Sequence, residues 1–378
     1  MTVKTTHFKV DNGDMTLIEL ESGRKLLVDI KIRAAADDTD DETPDVATQL
    51  RERLLRDSQE RLFIDAFLLT HPDQDHISGL QTHFHLGPPL DWKKADDKII
   101  IREMWSSPIV FRRASKNHVL CEDAKAWSTE ARRRVNLFKT QGYLSDGDRI
   151  QILGVDVDGK TDGLDGILVK AGTRFSKICG LPDSSFQSLL LAPLIGSDEA
   201  EEDVLTKNNS SVIMRLTLAA NGNSSAARYL LGGDAEVAIW EKIWGKYSPE
   251  DLKYDVLLAP HHCSWRSLSW DSWSKMGKDA KVSSDARSAL AQAQPGAMVL
   301  SSSTTIKDDE NDPPCIRAKR EYEDIVKPGG QFRCIADEPG DDPFELNVNE
   351  YGAKANRKRL VTSAGISTAV GSEPLGHG

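Results

Sequence analysis

Phe67-Leu68-Leu69-Thr70-His71-Pro72-Asp73-Gln74-Asp75-His76-Ile77-Ser78-Gly79-Leu80 is the stretch on which the reading of this sequence turns. An apolar, strand-like run over residues 64–69 stops at His71, Asp73, Asp75 and His76, and a helix-compatible apolar run follows. In a tight loop after a strand, this spacing aims one pair of side chains at one point and the other pair at a second point nearby. Imidazole and carboxylate together suit Zn²⁺, Mn²⁺ or Fe²⁺. The same letters also serve a polar turn, with Pro72 and Asp73 bending the chain and Asp75 capping a helix. Two histidines flanking two aspartates directly after a buried strand favour the cation-binding reading.

Two further strands end in the same way. Tyr229-Leu230-Leu231-Gly232-Gly233-Asp234 runs into two glycines, which let backbone approach closely, and then into one carboxylate. Taken alone, Asp234 is better explained as the N-cap of a helix over residues 235–244. Val256-Leu257-Leu258-Ala259-Pro260-His261-His262-Cys263-Ser264 again places ligand-type side chains after an apolar run. Clusters at three strand ends are what one site at one rim of a sheet requires.

The chain of 378 residues can bury a substantial core, and 39% hydrophobic with 28% charged residues is the composition of a globular protein. No apolar run approaches membrane-spanning length and the N-terminus has no apolar signal core, so the expectation is a cytoplasmic protein with no membrane partner. Five cysteines without CxxC spacing argue against a disulfide framework or a structural zinc knuckle. A net charge of -11 counts against a non-specific nucleic-acid coat protein but does not exclude a nuclease, whose metals supply local positive charge.

Along the chain, residues 5–30 read as an antiparallel meander with strands at 8–10, 15–20 and 25–30, joined by Asp11-Asn12-Gly13-Asp14 and Glu21-Ser22-Gly23-Arg24. Asp29 ends the third strand, either supporting the site or forming a turn. Residues 37–42 form an acidic run without the Gly and terminal Glu of a calcium loop. Asp45 opens a helix bearing Val46, Leu50, Leu54 and Leu55 on one face. His83 and His85 lie two apart and point away from each other. Arg112, Arg113, Lys116, Arg132, Arg133 and Arg134 are a local basic concentration ahead of the tail, read as a solvated helix face or as phosphate contacts, with Arg112 and Arg113 the candidate substrate contacts. The main domain is expected over residues 1–345, with polar insertions at about 31–45, 86–145 and 156–210, and residues 346–378 are expected to be a tail.

Thr70-His71-Pro72-Asp73-Gln74-Asp75-His76-Ile77-Ser78-Gly79-Leu80 resembles the HxHxDH signature of the metallo-β-lactamase superfamily. It is closer still to the THxDxDHxGG version in the hydrolase domain of ComEC-type competence proteins and their stand-alone relatives. Leu230-Leu231-Gly232-Gly233-Asp234 is similar to that family's LLTGD, Pro260-His261-His262-Cys263-Ser264 to its PHHGS, and Asn208-Asn209-Ser210-Ser211-Val212 to its NNxSV. Order and spacing agree over residues 5–336.

The resemblance implies an α/β (α+β) fold, the four-layer αββα sandwich of two mixed sheets, with a metal site at one rim. It implies two divalent ions, Zn²⁺ with Mn²⁺ as the alternative. Metal one would take His71 and Asp73, metal two Asp75, His76 and His261, and Asp234 would bridge them. His262 replaces His261 if the register is off by one. Asn209 and Ser211 become candidate substrate contacts. Asp73 stands where the superfamily usually has a second histidine, Cys263 where the relatives have Gly, and His118 is the sole candidate for a further histidine on metal one.

Such a pair of ions shares a water, lowers its pKa towards neutrality and presents hydroxide to an electrophile, with Asp75 a ligand and proton acceptor. The expected reaction is hydrolysis. The resemblance favours a phosphodiester, with nucleic acid or a nucleotide as substrate. A carbon ester, lactone, amide or thioester is the alternative substrate class, and a non-catalytic scaffold retaining the fold is the alternative of another kind.

Overall fold

Short strands buried on both faces build this molecule, and the computed structural model describes residues 3–38, 40–111, 120–156, 159–194 and 210–356. Strands β1 (Val3–His7), β2 (Thr16–Glu19) and β3 (Lys25–Val28) pair antiparallel as the meander. The first strand lies ahead of the expected residues 8–10, because those residues turn inward and Phe8 N donates to Met15 O. Parallel strands β4 (Leu62–Leu69), β5 (Ile99–Ser106), β6 (Arg149–Leu153) and β7 (Leu168–Val169) continue the sheet.

The second sheet repeats the scheme. Strands β8 (Arg174–Phe175), β9 (Phe186–Ala192), β10 (Ile213–Ala220) and β11 (Asn223–Leu231) are antiparallel. Strands β12 (Tyr254–Leu258), β13 (Ala293–Ser301) and β14 (Gln331–Cys334) then extend it in parallel. The chain returns to the first sheet, where β15 (Phe344–Asn349) pairs with β1 and β16 (Gly352–Ala355) pairs with β15.

Successive side chains of a strand face opposite ways, so each sheet has two apolar faces and four layers follow. Ala66 and Leu68 of β4 meet Tyr229 and Leu231 of β11 and Val256 and Leu258 of β12 between the sheets. On the outer face of the first sheet, Phe67 and Leu69 pack with Val46 and Leu50 of α1 (Val46–Arg51) and with Trp127 and Ala131 of α2 (Glu122–Gln141). Leu230, Leu257 and Val299 pack outward on α3 (Val237–Lys246), α4 (Ser284–Leu290) and α5 (Ile316–Ile325). This is the αββα sandwich that the resemblance implies.

Three expectations need correction. Among the described residues, 86–111, 120–145 and 159–194 are not polar insertions, since they contain β5, α2 and β9, whose apolar residues belong to the core. Residues 346–355 are not tail: Leu346 and Val348 alternate inward and complete the sheet beside β1. The three arginines of α2 are bound within the fold. Arg134 is buried, ion-paired with Glu130, and donates to the carbonyls of Ile101 and Arg149. Arg133 pairs with Glu130 and Asp148, and Arg132 donates to Val110 O. Arg112, Arg113, His118 and Asn209 lie outside the described residues, as does the chain beyond residue 356. No helix among the described residues is long and apolar enough to cross a membrane.

Candidate metal centre

The C-terminal ends of β3, β4, β11, β12 and β13 open on one rim. Hydrogen bonds from Val212 N to Thr70 O (2.9 Å) and from His261 N to Gly233 O (2.9 Å) tie the rim loops together. The two glycines of the second cluster are needed for this closeness. A Cβ at Gly232 would meet Pro260 Cγ at 2.7 Å, and one at Gly233, where φ is +49°, would meet Ser211 Cβ at 2.9 Å. Asp234 is not a helix cap, because α3 starts at Val237 behind Glu236. Its carboxylate points into the rim instead.

Four imidazoles surround that carboxylate. His76 Nε2 lies 3.1 Å from Asp234 Oδ1, while His71, His262 and His261 bring Nε2 to within 3.5, 3.6 and 3.7 Å of Oδ2. His262 Nε2 is also 3.3 Å from Asp75 Oδ2 and 3.3 Å from His76 Nε2. His262, the alternative by register, is therefore the ring that adjoins both Asp75 and His76. His261 reaches the group through Asp234 Oδ2, as does His71, whose Nε2 is also 3.7 Å from Asp73 Oδ2. The reason is a backbone kink: His261, His262 and Cys263 have φ of 50°, 52° and 67°, three successive residues in the left-handed region. Each such non-glycine residue stores roughly 1 kcal/mol or more of strain, a pattern that clusters at functional sites.

The rings are oriented from behind. His262 Nδ1 lies 3.1 Å from Ser302 O, which can only accept, so Nδ1 donates there and Nε2 faces inward. His76 Nδ1 is 2.8 Å from Asp29 Oδ2, and Asp29 also accepts from Thr70 N (2.7 Å) and Thr70 Oγ1 (2.6 Å). Of the two sequence readings of Asp29, support of the site is the one realised. Thr70 Oγ1 in turn lies 3.1 Å from His71 Nδ1. Such outer partners fix ring orientation and raise ligand basicity.

Sequence reasoning missed Asp14, which sits in the turn between β1 and β2. Asp14, His76, Asp234 and His262 each present a donor atom, and these four atoms lie within 4.8 Å of one another. The Asp11-Asn12-Gly13-Asp14 letters are sufficient for a turn, so nothing local marked the last of them. The contact is made by the backbone: Asp14 N donates to Asp75 O at 3.3 Å. Ser211, read as a substrate contact, is buried and accepts from Asp234 N at 3.2 Å. It positions the carboxylate. Cys263 is buried in the apolar layer under α3 to α5, and burial pushes its thiol well above the usual range, so it is an inert packing residue. His83 and His85 stand apart, His85 on Pro88 O.

Proton affinities record the crowding of charge. Burial pushes Asp14 up to about 6, against opposing pulls from His262 and His76. For Asp234, burial acts upward, but the flanking His76, His262 and His71 outweigh it and hold the carboxyl well below its usual range. Burial acts downward on His76 and His262, yet the carboxylates around each outweigh it and raise both. Five carboxylates, Asp14, Asp29, Asp73, Asp75 and Asp234, converge on one rim. Buried charge of one sign needs counter-charge, which divalent cations supply. His71 Nε2 is fully buried with no hydrogen-bond partner, as expected of a donor facing a cation. The donor set fits a divalent metal.

No family model matches the chain, and neither does any curated protein sequence. Among solved structures, Zn²⁺-bound PqqB from Methylobacterium extorquens aligns over 88% of this chain and 86% of its own, with 12% identity and a TM-score of 0.40. Unliganded yeast PDE1 aligns over 88% of this chain and 98% of its own, with 12% identity and a TM-score of 0.38. CmlA, a diiron β-hydroxylase from Streptomyces venezuelae, aligns over 88% of this chain and 52% of its own, with 12% identity and a TM-score of 0.35. Likenesses this distant carry no argument about chemistry, and the site is read from its own geometry.

Proposed function

We propose that this chain is a hydrolase of the metallo-β-lactamase superfamily, nearest to the ComEC-type domains, that holds two divalent cations and cleaves a phosphodiester. The observation that carries the reading is the convergence of four imidazoles on the Asp234 carboxylate. Asp75, His76, His262 and Asp14 would hold one cation, His71, Asp73 and His261 the other, with Asp234 between them. The ions are Zn²⁺ or Mn²⁺, the carboxylate share of the donors favouring the harder metal. Divalent cations bound there supply a Lewis acid and bring the pKa of water towards neutrality.

The chain's own groups do the rest. Asp29 and Ser302 O fix the His76 and His262 tautomers. Ser211 fixes Asp234. Asp75, about a third exposed while the rings of His71, His76 and His262 are buried, is placed to accept a proton from an attacking water. Nucleic acid or a nucleotide is the proposed substrate, which the ComEC-type motifs favour.

The test is turnover by the metal-loaded protein. Hydrolysis of bis-p-nitrophenyl phosphate in Mn²⁺ or Zn²⁺, lost in Asp234→Asn, supports the reading. Turnover of a lactone or thioester with none of the diester moves the reaction to carbon esters, and no turnover at full metal occupancy leaves a scaffold.

A further inference from the structure

The rim is open on one side. The rings of His71, His76 and His262 are buried and the Asp234 carboxylate is 4% exposed, whereas Asp73 and Asp75 are 26% and 36% exposed. From Asp75 an open groove of about 830 Å³ leads away over Ser78 and Gly79 towards His83. This is a volume that takes a nucleotide-sized ligand.

Two cationic side chains, Lys31 and Arg33, line that groove together with the carboxylates of Asp37, Asp75 and Asp123. Lys31 is half-buried and prearranged. Its stem lies on Gly13, where an added Cβ would come within 2.4 Å of Lys31 Cδ, and its ammonium donates to Asn12 O at 2.5 Å. Asn12 is itself fixed, donating to Pro313 O and accepting from Thr304 N. One acceptor leaves the ammonium with unused donors beside the groove. Arg33 forms an ion pair with Asp11 next to it. Asp123, also on the groove wall, is engaged by Gly79 N and Gln81 N. A fixed cation on the path to the metals is an anion seat whose ordering cost is already met.

We infer that Lys31, with Arg33, binds a second phosphate of the substrate, next to the one being cleaved, so that preferred substrates carry a further phosphate on the groove side of the scissile diester. The inference rests on the phosphodiester reading. Lys31 is a specificity residue and stands outside the metal shell. The second phosphate comes either from a continuing nucleic-acid strand or from the terminal phosphate of a small nucleotide.

A matched pair of substrates tests this: thymidine 5′-p-nitrophenyl phosphate and the same molecule with a 3′-phosphate. The Mn²⁺-loaded protein is expected to show a KM roughly tenfold lower for the phosphorylated member, the size of one charge-assisted hydrogen bond. Lys31→Met abolishes that difference with metal content unchanged, Lys31→Arg retains it, and Arg33→Gln reduces it. Oligothymidylate competing more strongly than the 3′-phosphorylated nucleotide identifies a strand as the source, and weaker competition a terminal phosphate. Equal KM values in the wild type, or a preference that survives Lys31→Met, overturn the inference and leave the phosphodiester reading standing. Failure to cleave either member overturns both.

Discussion

Asp234 concentrates the chemistry in one side chain, with an imidazole nitrogen from each of four histidines within 3.7 Å of its oxygens. Replacing it with Asn removes the charge and keeps the shape. Asp234→Asn is expected to lose bound metal and to lower kcat/KM by roughly 10²–10³-fold while folding as the wild type; metal analysis beside circular dichroism checks both. His262 and His261 separate by position. His262→Ala removes the ring next to Asp75 and His76 and is expected to cost one full equivalent of metal, whereas His261→Ala weakens the other equivalent. Asp29 reaches the cations only through His76 and Thr70, so Asp29→Ala is expected to weaken metal affinity about 10–100-fold, read by competition with a chelating dye.

At the level of elements, the β1–β2 turn is the one the site depends on most. A Cβ at Gly13 would meet Asp75 O at 2.6 Å and Lys31 Cδ at 2.4 Å. Gly13→Ala therefore pushes Asp14 away from His76 and is expected to cost about 1–3 kcal/mol together with metal affinity. The helix α2 is anchored by Trp127, fully buried, edge-on to Phe67 at 4.9 Å and donating to Ser106 Oγ at 3.0 Å. Trp127→Ala is expected to cost roughly 3–5 kcal/mol, measured by denaturant unfolding.

Across the whole molecule the two sheets are joined by apolar packing and, among the polar contacts between them, by a buried chain of side chains. His7 Nε2 meets Thr5 Oγ1 at 3.0 Å, Thr5 Oγ1 meets Tyr229 OH on the second sheet at 3.1 Å, and His7 Nδ1 meets Thr16 Oγ1 at 3.1 Å. Burial pushes His7 down from 6.5 to about 3. Unfolded chains take up this proton below pH 6.5 and the folded protein does not until about 3, so the contribution is full above 6.5 and is lost as pH falls. His7→Gln is expected to flatten that acid slope in urea-unfolding midpoints between pH 6.5 and about 4.

Apolar strand runs and the ligand-type residues placed where they stop were legible as local signals, whereas the four-layer order came from the family resemblance and not from periodicity. What was not legible depends on approach through space. Asp14 looks like any turn aspartate, and only the docking of its turn on Asp75 makes it a donor. The choice between His261 and His262 depends on three left-handed residues that no neighbouring letter demands. The arginines of α2 read as solvent-facing because Glu130 and the carbonyls of Ile101 and Arg149, which engage them, cannot be placed from the sequence. Residues 346–355 looked like tail because their partner strand lies at the opposite end of the chain.

Anomalous diffraction from crystals of the protein, recorded on both sides of the zinc and manganese edges, tests the central claim most directly. Two peaks about 3.5–4 Å apart, with Asp234 between them, His262 and Asp75 on one and His71 on the other, are the predicted result. A rim without a peak in reach of Asp234 after soaking in either metal would contradict it.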